Sequence, residues 1–273
     1  MPTMYRHNEE IRRNLKSWQD KPLLRRLYRS FHEAIAQQLP DRPAACVVEL
    51  GSGVADVSEV IPGCIRTDFF PNPWIARVEN AYSLSFADAS VSALILFDVF
   101  HHLRYPGTAL QECHRVLVPG GRVVLFEPCM SLLGLLVYGL LHEEPLGLRQ
   151  PIQWHAPEGW SHTDLDDYAA QGNATRVFLR GEIDVTALGW RVVATRRLSA
   201  ISYVASGGYS KPQMYPDRAI PLMRLIDKVC DLLPSVFATR VMVVLEKPTG
   251  AASCTPADAD QPQREPPRRG RRG

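Results

Sequence analysis

Val47-Val48-Glu49-Leu50-Gly51-Ser52-Gly53 is the stretch that decides the fold of this chain, and Asp68 stands at the end of the next apolar segment. A short apolar run that stops at a glycine-rich turn is typical of a buried parallel strand. The glycines let the backbone approach a bound molecule closely. The stretch therefore predicts the first strand of a parallel sheet, with a nucleotide-like ligand held beyond its end.

Strands and helices alternate on both sides of this turn. Apolar periodicity predicts two helices within residues 8–39, broken at Lys21-Pro22. Further strands are predicted at residues 64–68, 91–97 and 122–127, with short helices at 54–60 and 74–78 and an amphipathic helix at 108–117. This order predicts an α/β fold with a doubly wound sheet. Ligands of such sheets bind at the carboxyl ends of the strands, where four acids fall: Glu49, Asp68, Asp98 and Glu127.

The second half of the chain has a different organisation. Residues 130–141 form an apolar helix, facing the core or an interface, and residues 143–173 are rich in loops. Two late β-like runs, at residues 190–199 and 238–246, are expected to complete the sheet. We therefore divide the chain into N-terminal helices (1–43), a ligand-binding core (44–128), a cover and candidate acceptor-binding region (129–189), a C-terminal completion of the sheet (190–248) and a disordered tail (249–273).

Composition excludes several classes of function. The net charge of +2 arises from the arginine-rich tail, since the rest of the chain carries 26 charges of each sign. Nucleic acid is therefore not expected as a partner. Six scattered cysteines show no metal-ligand spacing, and no metal site is expected. The N-terminus lacks a signal peptide, and the longest apolar run is about half the roughly 20 residues of a membrane span. We expect a cytoplasmic protein, leave peripheral membrane contact open, and infer no oligomeric state.

The glycine turn discriminates between two kinds of cofactor. A dinucleotide fingerprint requires a third glycine at position 56, where Asp56 stands instead. Negative charge there is unfavourable for a pyrophosphate, so NAD and FAD are disfavoured. S-adenosylmethionine carries no phosphate and has positively charged sulfonium and ammonium groups, which suit nearby carboxylates. The sequence therefore favours S-adenosylmethionine.

The chain resembles the class I S-adenosylmethionine-dependent methyltransferases, in particular the small-molecule branch with a type 11 methyltransferase domain. The resemblance covers about residues 44–128 and rests on an ordered set of segments: residues 49–53, Asp68, residues 80–88, Phe97-Asp98-Val99-Phe100-His101-His102-Leu103, and residues 112–127 with Pro119-Gly120-Gly121. Each segment is weak alone, and their common order makes the set specific. The two late runs resemble the antiparallel sixth and seventh strands of the family's seven-stranded sheet, a Rossmann-like sheet with an antiparallel last strand.

The resemblance implies roles for individual residues. Glu49, Gly51, Ser52 and Gly53 would cradle the methionine part of the cofactor, and Asp68 would accept hydrogen bonds from the ribose hydroxyls. The further implied cofactor contacts are Phe69, Asn80, Ala81 and Asp98. Two departures weaken the match. Asn80 stands where the family usually has Asp, and the short interval from Gly53 to Asp68 leaves a clipped first helix.

Methyl transfer depends mainly on holding the acceptor in line with the methyl group, so no catalytic motif is obligatory. An oxygen or nitrogen acceptor needs a base, and His101 or His102 is the candidate; packing of the pair under the following helix is the competing interpretation. Further candidates in the cover are His142, Glu143, Glu144, His155, His162 and Tyr209. We expect a methyltransferase acting on a small molecule, with lipids and specialised metabolites considered. The alternatives are a methyltransferase-like binding protein without turnover and an NAD-dependent oxidoreductase.

Overall fold

The structure is a computed structural model that describes residues 2–40, 45–163 and 168–250. Seven strands form one sheet in the order β3-β2-β1-β4-β5-β7-β6. The strands are β1 (Cys46–Leu50), β2 (Ile65–Asp68), β3 (Arg77–Val78), β4 (Val91–Phe97), β5 (Leu117–Pro128), β6 (Arg191–Leu198) and β7 (Arg240–Glu246). Because β7 is antiparallel to both of its neighbours, it runs opposite to the other six. The predicted α/β sheet with an antiparallel last strand is confirmed.

The order of the strands determines where a ligand can bind. The chain passes from β1 outward to β2 and β3, then returns to place β4 on the other side of β1. Connections on the two sides of β1 and β4 therefore leave in opposite directions, which opens a crevice at the carboxyl ends of these strands. The glycine turn follows β1 directly and lies at this crevice.

Helices cover both faces of the sheet. They are α1 (Pro2–Asp20), α2 (Pro22–Ala36), α3 (Pro106–Val116), α4 (Leu132–Leu140), α5 (Ile201–Ala205), α6 (Ile220–Cys230) and α7 (Pro234–Phe237). On one face α2 buries Leu24, Tyr28 and Ile35 against the sheet. On the other face α3 buries Leu110 and Cys113. No helix within the described residues is long and apolar enough to cross a membrane.

Two local predictions are wrong. The helix expected at residues 54–60 is only a short 3₁₀ turn, Val57–Glu59, because few residues separate the glycine turn from β2 and Pro62-Gly63 ends the segment. The helix expected at 74–78 is instead the short edge strand β3, whose Arg77 pairs with Thr67 of β2. Pairing with a neighbouring strand overrides a weak local helical preference. The predicted tail lies outside the described residues beyond Gly250.

Helix α4 contains two glycines with opposite roles. A Cβ atom on Gly134 would lie 1.8 Å from the carbonyl oxygen of Cys129, so the start of α4 can approach the end of β5 only without a side chain. A Cβ atom on Gly139 would meet the side chain of Leu146 at 3.4 Å, which is an ordinary contact. Close packing therefore requires Gly134, whereas Gly139 fulfils no such steric need.

We expect G134A to lower the free energy of unfolding by about 2 kcal/mol, because the added methyl group overpacks against backbone. The matched variant G139A should raise it by roughly 0.5 kcal/mol, since alanine favours a helix over glycine. Urea unfolding followed by circular dichroism measures both. Equal effects of the two substitutions would contradict the assigned packing.

Candidate functional site

The glycine turn after β1 adopts a conformation that leaves room beside the backbone. Gly51 has a φ of +70°, and a Cβ atom there would lie 2.4 Å from the Val99 side chain. Gly53 has a φ of +49°, and a Cβ atom there would have no heavy atom within 4 Å. The turn is thus packed against the loop after β4 on one side and open on the other. The open side is where a ligand can approach the backbone.

Asp68, at the end of β2, stabilises the conformation of this turn. Its carboxylate accepts hydrogen bonds from the backbone N–H groups of Gly53, at 3.1 Å, and Phe70, at 3.2 Å. A carboxylate has about four acceptor positions, so further donors such as hydroxyl groups can still be bound. Phe69, the next residue, leaves more than a third of its surface exposed. The predicted pair of Asp68 and Phe69 therefore lies beside the turn.

Glu49 is the buried acid at the end of β1. Its Oε2 atom has no hydrogen-bond partner among the described residues, and the nearest cationic atom is Nε of Arg66, 3.9 Å away. Burial raises the pKa of Glu49 to about 7, although Ser52 and Arg66 oppose the rise. The buried Oγ of Ser52 is close enough to Glu49 to oppose that rise, but it also forms no hydrogen bond of normal geometry. Two unsatisfied polar atoms at one turn fit a ligand that donates hydrogen bonds, such as an ammonium group.

Asp56 has a different role from the one that its sequence position suggested. Its Oδ1 atom accepts hydrogen bonds from the backbone and side chain of Ser58 and lies 3.5 Å from Nη1 of Arg66. Its charge is therefore directed toward Arg66. The stronger argument against a dinucleotide is that the described chain places only a 3₁₀ turn after the glycines, so there is no α-helix N-terminus to bind a pyrophosphate.

Asn80 and Ala81 follow β3. The Asn80 side chain accepts a hydrogen bond from the backbone N–H of Tyr82 at 3.0 Å and donates one to the carbonyl oxygen of His162, also at 3.0 Å. Ala81 packs against the core at its edge. The amide oxygen keeps one lone pair for another donor. Asn80 thus joins the loop after β3 to the cover.

Asp98 directly follows β4 and has a positive φ of 55°. Its carboxylate forms an ion pair with the guanidinium of Arg240, which is almost fully buried. The guanidinium lies over the ring of Tyr203 with its carbon 4.9 Å from the ring centroid. Burial of the Arg240 charge is therefore compensated by an acid and by aromatic faces. Tyr28 and Tyr209 lie in the same cluster, with ring centroids 5.5 Å apart.

His101 lies between two carboxylates. Its Nδ1 atom is 2.6 Å from Glu127, which is fully buried, and its Nε2 atom is 3.5 Å from Glu144. Burial alone would lower the pKa of His101, but the two carboxylates outweigh burial and raise the pKa to about 10. His101 is therefore a cation at neutral pH, and neither ring nitrogen is free to take a proton.

His102 has the opposite electrostatic environment. Burial and the neighbouring charge of His101 lower its pKa, so the ring is neutral at pH 7. Its Nδ1 atom lies 3.2 Å from the backbone carbonyl oxygen of Tyr168, which fixes the proton on that nitrogen. Nε2 then carries the lone pair, and the side chain is nearly half exposed. Of the two histidines, only His102 is in a state that can accept a proton.

The remaining candidates are divided between two places. Glu144 lies beside the histidine pair. Burial raises the pKa of Glu144, but His101 and His102 outweigh burial and lower this pKa to about 2. His142 lies beside it, with Nδ1 3.9 Å from the Glu144 carboxylate. Tyr209 belongs to the Arg240 cluster. The structure does not bring the others to either group: Glu143 is exposed, His155 contacts Trp154, and His162 contributes its backbone to Asn80.

Sequence reasoning missed three further side chains of the candidate site. Arg66 lies inside the predicted strand at residues 64–68, and Arg240 comes directly before the apolar run 241–245; a basic residue at such a position was the available signal for both. Trp74 donates a hydrogen bond from its indole N–H to the carbonyl oxygen of Gly53 and so forms a wall of the glycine turn. A tryptophan in a proline-rich loop gave no comparable signal, because its partner lies 21 residues earlier.

We expect H101Q to lower the free energy of unfolding by about 3 kcal/mol at pH 7, because it removes a buried cation between two carboxylates. A histidine whose pKa rises on folding stabilises fully below its unfolded value of 6.5 and loses that contribution as the pH approaches 10. The difference between H101Q and the native protein should therefore shrink from pH 7 to pH 9.5 in urea unfolding. H102Q, at a half-exposed position, is the control and should cost less than about 1 kcal/mol.

Comparisons with known proteins relate the chain to methyltransferases. A family model described as a methyltransferase domain matches residues 55–125. The demethylmenaquinone methyltransferase of Streptomyces avermitilis is 29% identical over 113 residues, which cover 36% of this chain and 49% of that protein. The chain thus spans about half the length of this curated relative. A solved S-adenosylmethionine-dependent methyltransferase from Thermotoga maritima is 14% identical, with a TM-score of 0.50 over 88% of this chain and 99% of that chain.

The structural similarity supports the fold alone, because the identity is low. The family model and the curated relative add sequence evidence, and the model covers the chain from just after the glycine turn into β5. The resemblance to the class I S-adenosylmethionine-dependent methyltransferases that was inferred from the motifs is therefore confirmed over residues 55–125.

Proposed function

We propose that this protein transfers the methyl group of S-adenosylmethionine to an apolar small-molecule acceptor. The observation that carries the proposal is the pair of buried, unpartnered polar atoms at the glycine turn, Glu49 Oε2 and Ser52 Oγ. These atoms accept hydrogen bonds from the ammonium group of the methionine part. Gly53, with open space beside it, admits the ligand close to the backbone.

The other cofactor contacts follow from the placement of the side chains. Asp68 takes the ribose hydroxyls on its remaining acceptor positions, and Phe69 offers an exposed ring near the adenosine. Asn80 takes the adenine amino group on its free lone pair, next to Ala81. Asp98 contributes negative charge near the sulfonium, moderated by its pairing with Arg240. Each of these assignments keeps the hydrogen bonds that the side chain already makes.

When bound, S-adenosylmethionine supplies a methyl group activated by a sulfonium leaving group. The protein's part is to hold the acceptor in line and to remove a proton where the acceptor has one. We assign proton acceptance to Nε2 of His102. The lowered pKa of His102 leaves the ring unprotonated at neutral pH, and the carbonyl oxygen of Tyr168 holds the proton of the neutral ring on Nδ1. His101 is a positioning residue that ties Glu127 to Glu144.

The acceptor class is inferred from the relative and from the cover. The Streptomyces avermitilis relative is named for demethylmenaquinone, an apolar acceptor. In this chain the cover begins with an uncharged helix, α4, of sequence Leu-Leu-Gly-Leu-Leu-Val-Tyr-Gly-Leu. An apolar cover beside the carboxyl edge of the sheet suits an acceptor with an apolar body. We therefore propose a lipid-like acceptor.

A second candidate function is cofactor binding without turnover. The observation in its favour is that His101, one of the two candidate bases, is held as a cation between Glu127 and Glu144 and cannot take a proton. A protein that binds the adenosyl cofactor only for regulation needs neither a catalytic base nor a methyl acceptor. The two candidates make the same prediction for cofactor binding and differ only in methyl transfer.

We expect calorimetry to detect binding of S-adenosylmethionine and S-adenosylhomocysteine and no binding of NAD. D68A should weaken binding of both adenosyl ligands by roughly 1–3 kcal/mol, because a buried hydrogen bond to the ribose is lost. D88A removes an exposed acid that pairs with Arg115 and should leave the affinity unchanged. Binding of NAD in preference to the adenosyl ligands by folded protein would refute the proposal.

The raised pKa of Glu49 predicts a pH dependence of cofactor affinity. An acid whose pKa is about 7 in the free protein must lose its proton before it can pair with an ammonium group. The affinity for S-adenosylmethionine should therefore fall roughly tenfold from pH 7.5 to pH 6.0, with proton release on binding at the lower pH. Calorimetry in buffers of different ionisation enthalpy measures both quantities. E49Q should bind more weakly and show a flat profile; a pH-dependent E49Q would contradict the assignment.

The role of His102 is tested with an acceptor found by screening lipid extracts for transfer of a labelled methyl group. H102Q should lower kcat by roughly 10²-fold or more and leave the cofactor Kd unchanged, as expected of a general base. H102Q should also flatten the acid side of the pH–rate profile. Parallel losses in Kd and kcat would indicate a structural role, and absence of transfer to any extract would favour the binding protein.

A further inference from the structure

Helix α4 presents leucines to the surface. Leu132, Leu136 and Leu140 follow one another at four-residue intervals and are 67%, 53% and 74% exposed. Gly134 and Tyr138 form the buried side of the same helix. Helices of globular proteins normally place polar residues on the outer face. This helix has no charged residue, and its outer face is a continuous apolar stripe.

Helix α6 repeats the pattern. Leu222, Leu225 and Val229 lie on one side at intervals of three and four residues, and each is more than half exposed. Leu232 and Leu233, directly after the helix, are also more than half exposed. The five side chains extend the stripe past the end of the helix. Isolated exposed apolar residues are normal, but contiguous ones mark an interaction surface.

The two stripes lie on neighbouring elements. Helix α7 follows Leu233 and packs against α4, where the Ser131 side chain donates a hydrogen bond to the carbonyl oxygen of Val236 at 3.1 Å. The Tyr138 hydroxyl donates another to the carbonyl oxygen of Thr239 at 2.9 Å. These bonds hold α4 beside α7, which begins at Pro234, four positions after the end of α6. We call the exposed leucines and valine of α4, α6 and residues 232–233 the apolar face.

Positive charge surrounds the apolar face. Arg224 and Lys228 lie exposed on α6, whereas the acids of this segment are engaged by backbone N–H groups: half-buried Asp227 accepts a hydrogen bond from Ser202 at 3.0 Å, and exposed Asp231 accepts one from Ser199 at 2.8 Å. Beside α4 and α7, a cavity of about 240 Å³ is lined by Ser131, Ser235, Arg180 and Arg197 among others.

The two arginines of this cavity are available to an anion. Both Arg180 and Arg197 are exposed, and within the described ranges no carboxylate lies within ion-pair distance of either. The cavity also offers hydroxyl groups, from Ser131 and Ser235. Guanidinium and hydroxyl donors around one space are the chemistry that binds a phosphate group. Apolar side chains next to phosphate-binding cations match the layering of a lipid bilayer.

We propose that the apolar face docks on an anionic phospholipid bilayer, with its leucines in the outer acyl region and the Arg180–Arg197 cavity on a lipid phosphate. The leucine and valine side chains of the face carry no polar group that the acyl region would have to desolvate. The basic residues around the face add attraction to anionic lipid. This docking brings the cover, and with it the substrate crevice, to the membrane surface.

Other occupants fit the face less well. Two copies meeting about a two-fold axis would bring the same cations close together, which opposes a dimer through this face. The C-terminal sequence, residues 251–273, contains no Leu, Ile, Val, Met, Phe, Tyr or Trp, so it offers no apolar segment to pair with the leucines. The bilayer supplies both the apolar layer and the negative charge that the face requires.

The inference deepens the proposed function, because a docked protein takes a lipid-like acceptor from the bilayer. Docking itself needs neither cofactor nor acceptor. It is measured by flotation of the full-length protein with vesicles of phosphatidylcholine alone and with added phosphatidylglycerol. Failure to bind vesicles would refute the inference and leave the cofactor-binding result untouched, while failure of cofactor binding would refute only the proposed function.

We expect the protein to float with the anionic vesicles and L132Q/L136Q/L140Q to bind them at least about tenfold more weakly. R180Q/R197Q should lose about tenfold on anionic vesicles and show no change on neutral ones, with the difference shrinking at high salt. V192Q/V193Q replaces two exposed apolar residues at the start of β6, at the opposite end of that strand from Arg197, and is the matched control, with unchanged binding.

Circular dichroism and unfolding of each variant show that folding is retained, which glutamine favours in the helix. The proposal is overturned if the native protein binds neither vesicle, or if V192Q/V193Q loses as much binding as the leucine variant. It is also overturned if the native protein is a dimer that L132Q/L136Q/L140Q converts to a monomer. That last outcome would assign the apolar face to a second copy of the chain.

Discussion

The carboxylate of Glu127 is the interaction on which the site depends. It is fully buried at the end of β5 and accepts hydrogen bonds from the backbone N–H groups of Val99, at 2.8 Å, and Phe100, at 2.7 Å, as well as contacting His101. These bonds shape the loop after β4 and thereby hold Val99 against Gly51. Through His101 the same carboxylate reaches Glu144 in the cover. One acid therefore fixes both walls of the crevice. The cost of burying its charge is offset because Val99, Phe100 and His101, which belong to the same site, provide its hydrogen-bond partners.

Sequence reasoning succeeded where the determinants are local. The strand before Gly51 and the fully buried run Val91–Phe97 are contiguous apolar segments, whose structure depends little on distant residues. It failed where a long-range partner decides the outcome. Arg77 becomes a strand residue because Thr67 lies beside it, and Asp56 is drawn to Arg66. Neither neighbour can be read from the local pattern.

The histidine pair shows why residue type alone did not identify a catalytic group. His101 and His102 are adjacent in sequence, and their ring centroids are only 4.2 Å apart. Their pKa values nevertheless shift in opposite directions, because Glu127 and Glu144 stabilise the charge of His101 while that charge disfavours a second one on His102. A buried cation thus keeps its neighbour neutral. The division of roles is created by carboxylates that lie 26 and 43 positions further along the chain than His101.

The buried acid and the apolar face belong to one short segment of chain. Leu132 lies five positions after Glu127, a path of at most about 17 Å. The first exposed leucine is therefore anchored close to the carboxylate that shapes the crevice, and Gly134 permits this approach because α4 starts against the carbonyl oxygen of Cys129. A surface so near the crevice cannot contact a bilayer without bringing the acceptor side of the site toward it. The geometry that satisfies a buried carboxylate at the sheet edge thus also places the apolar face close to the crevice.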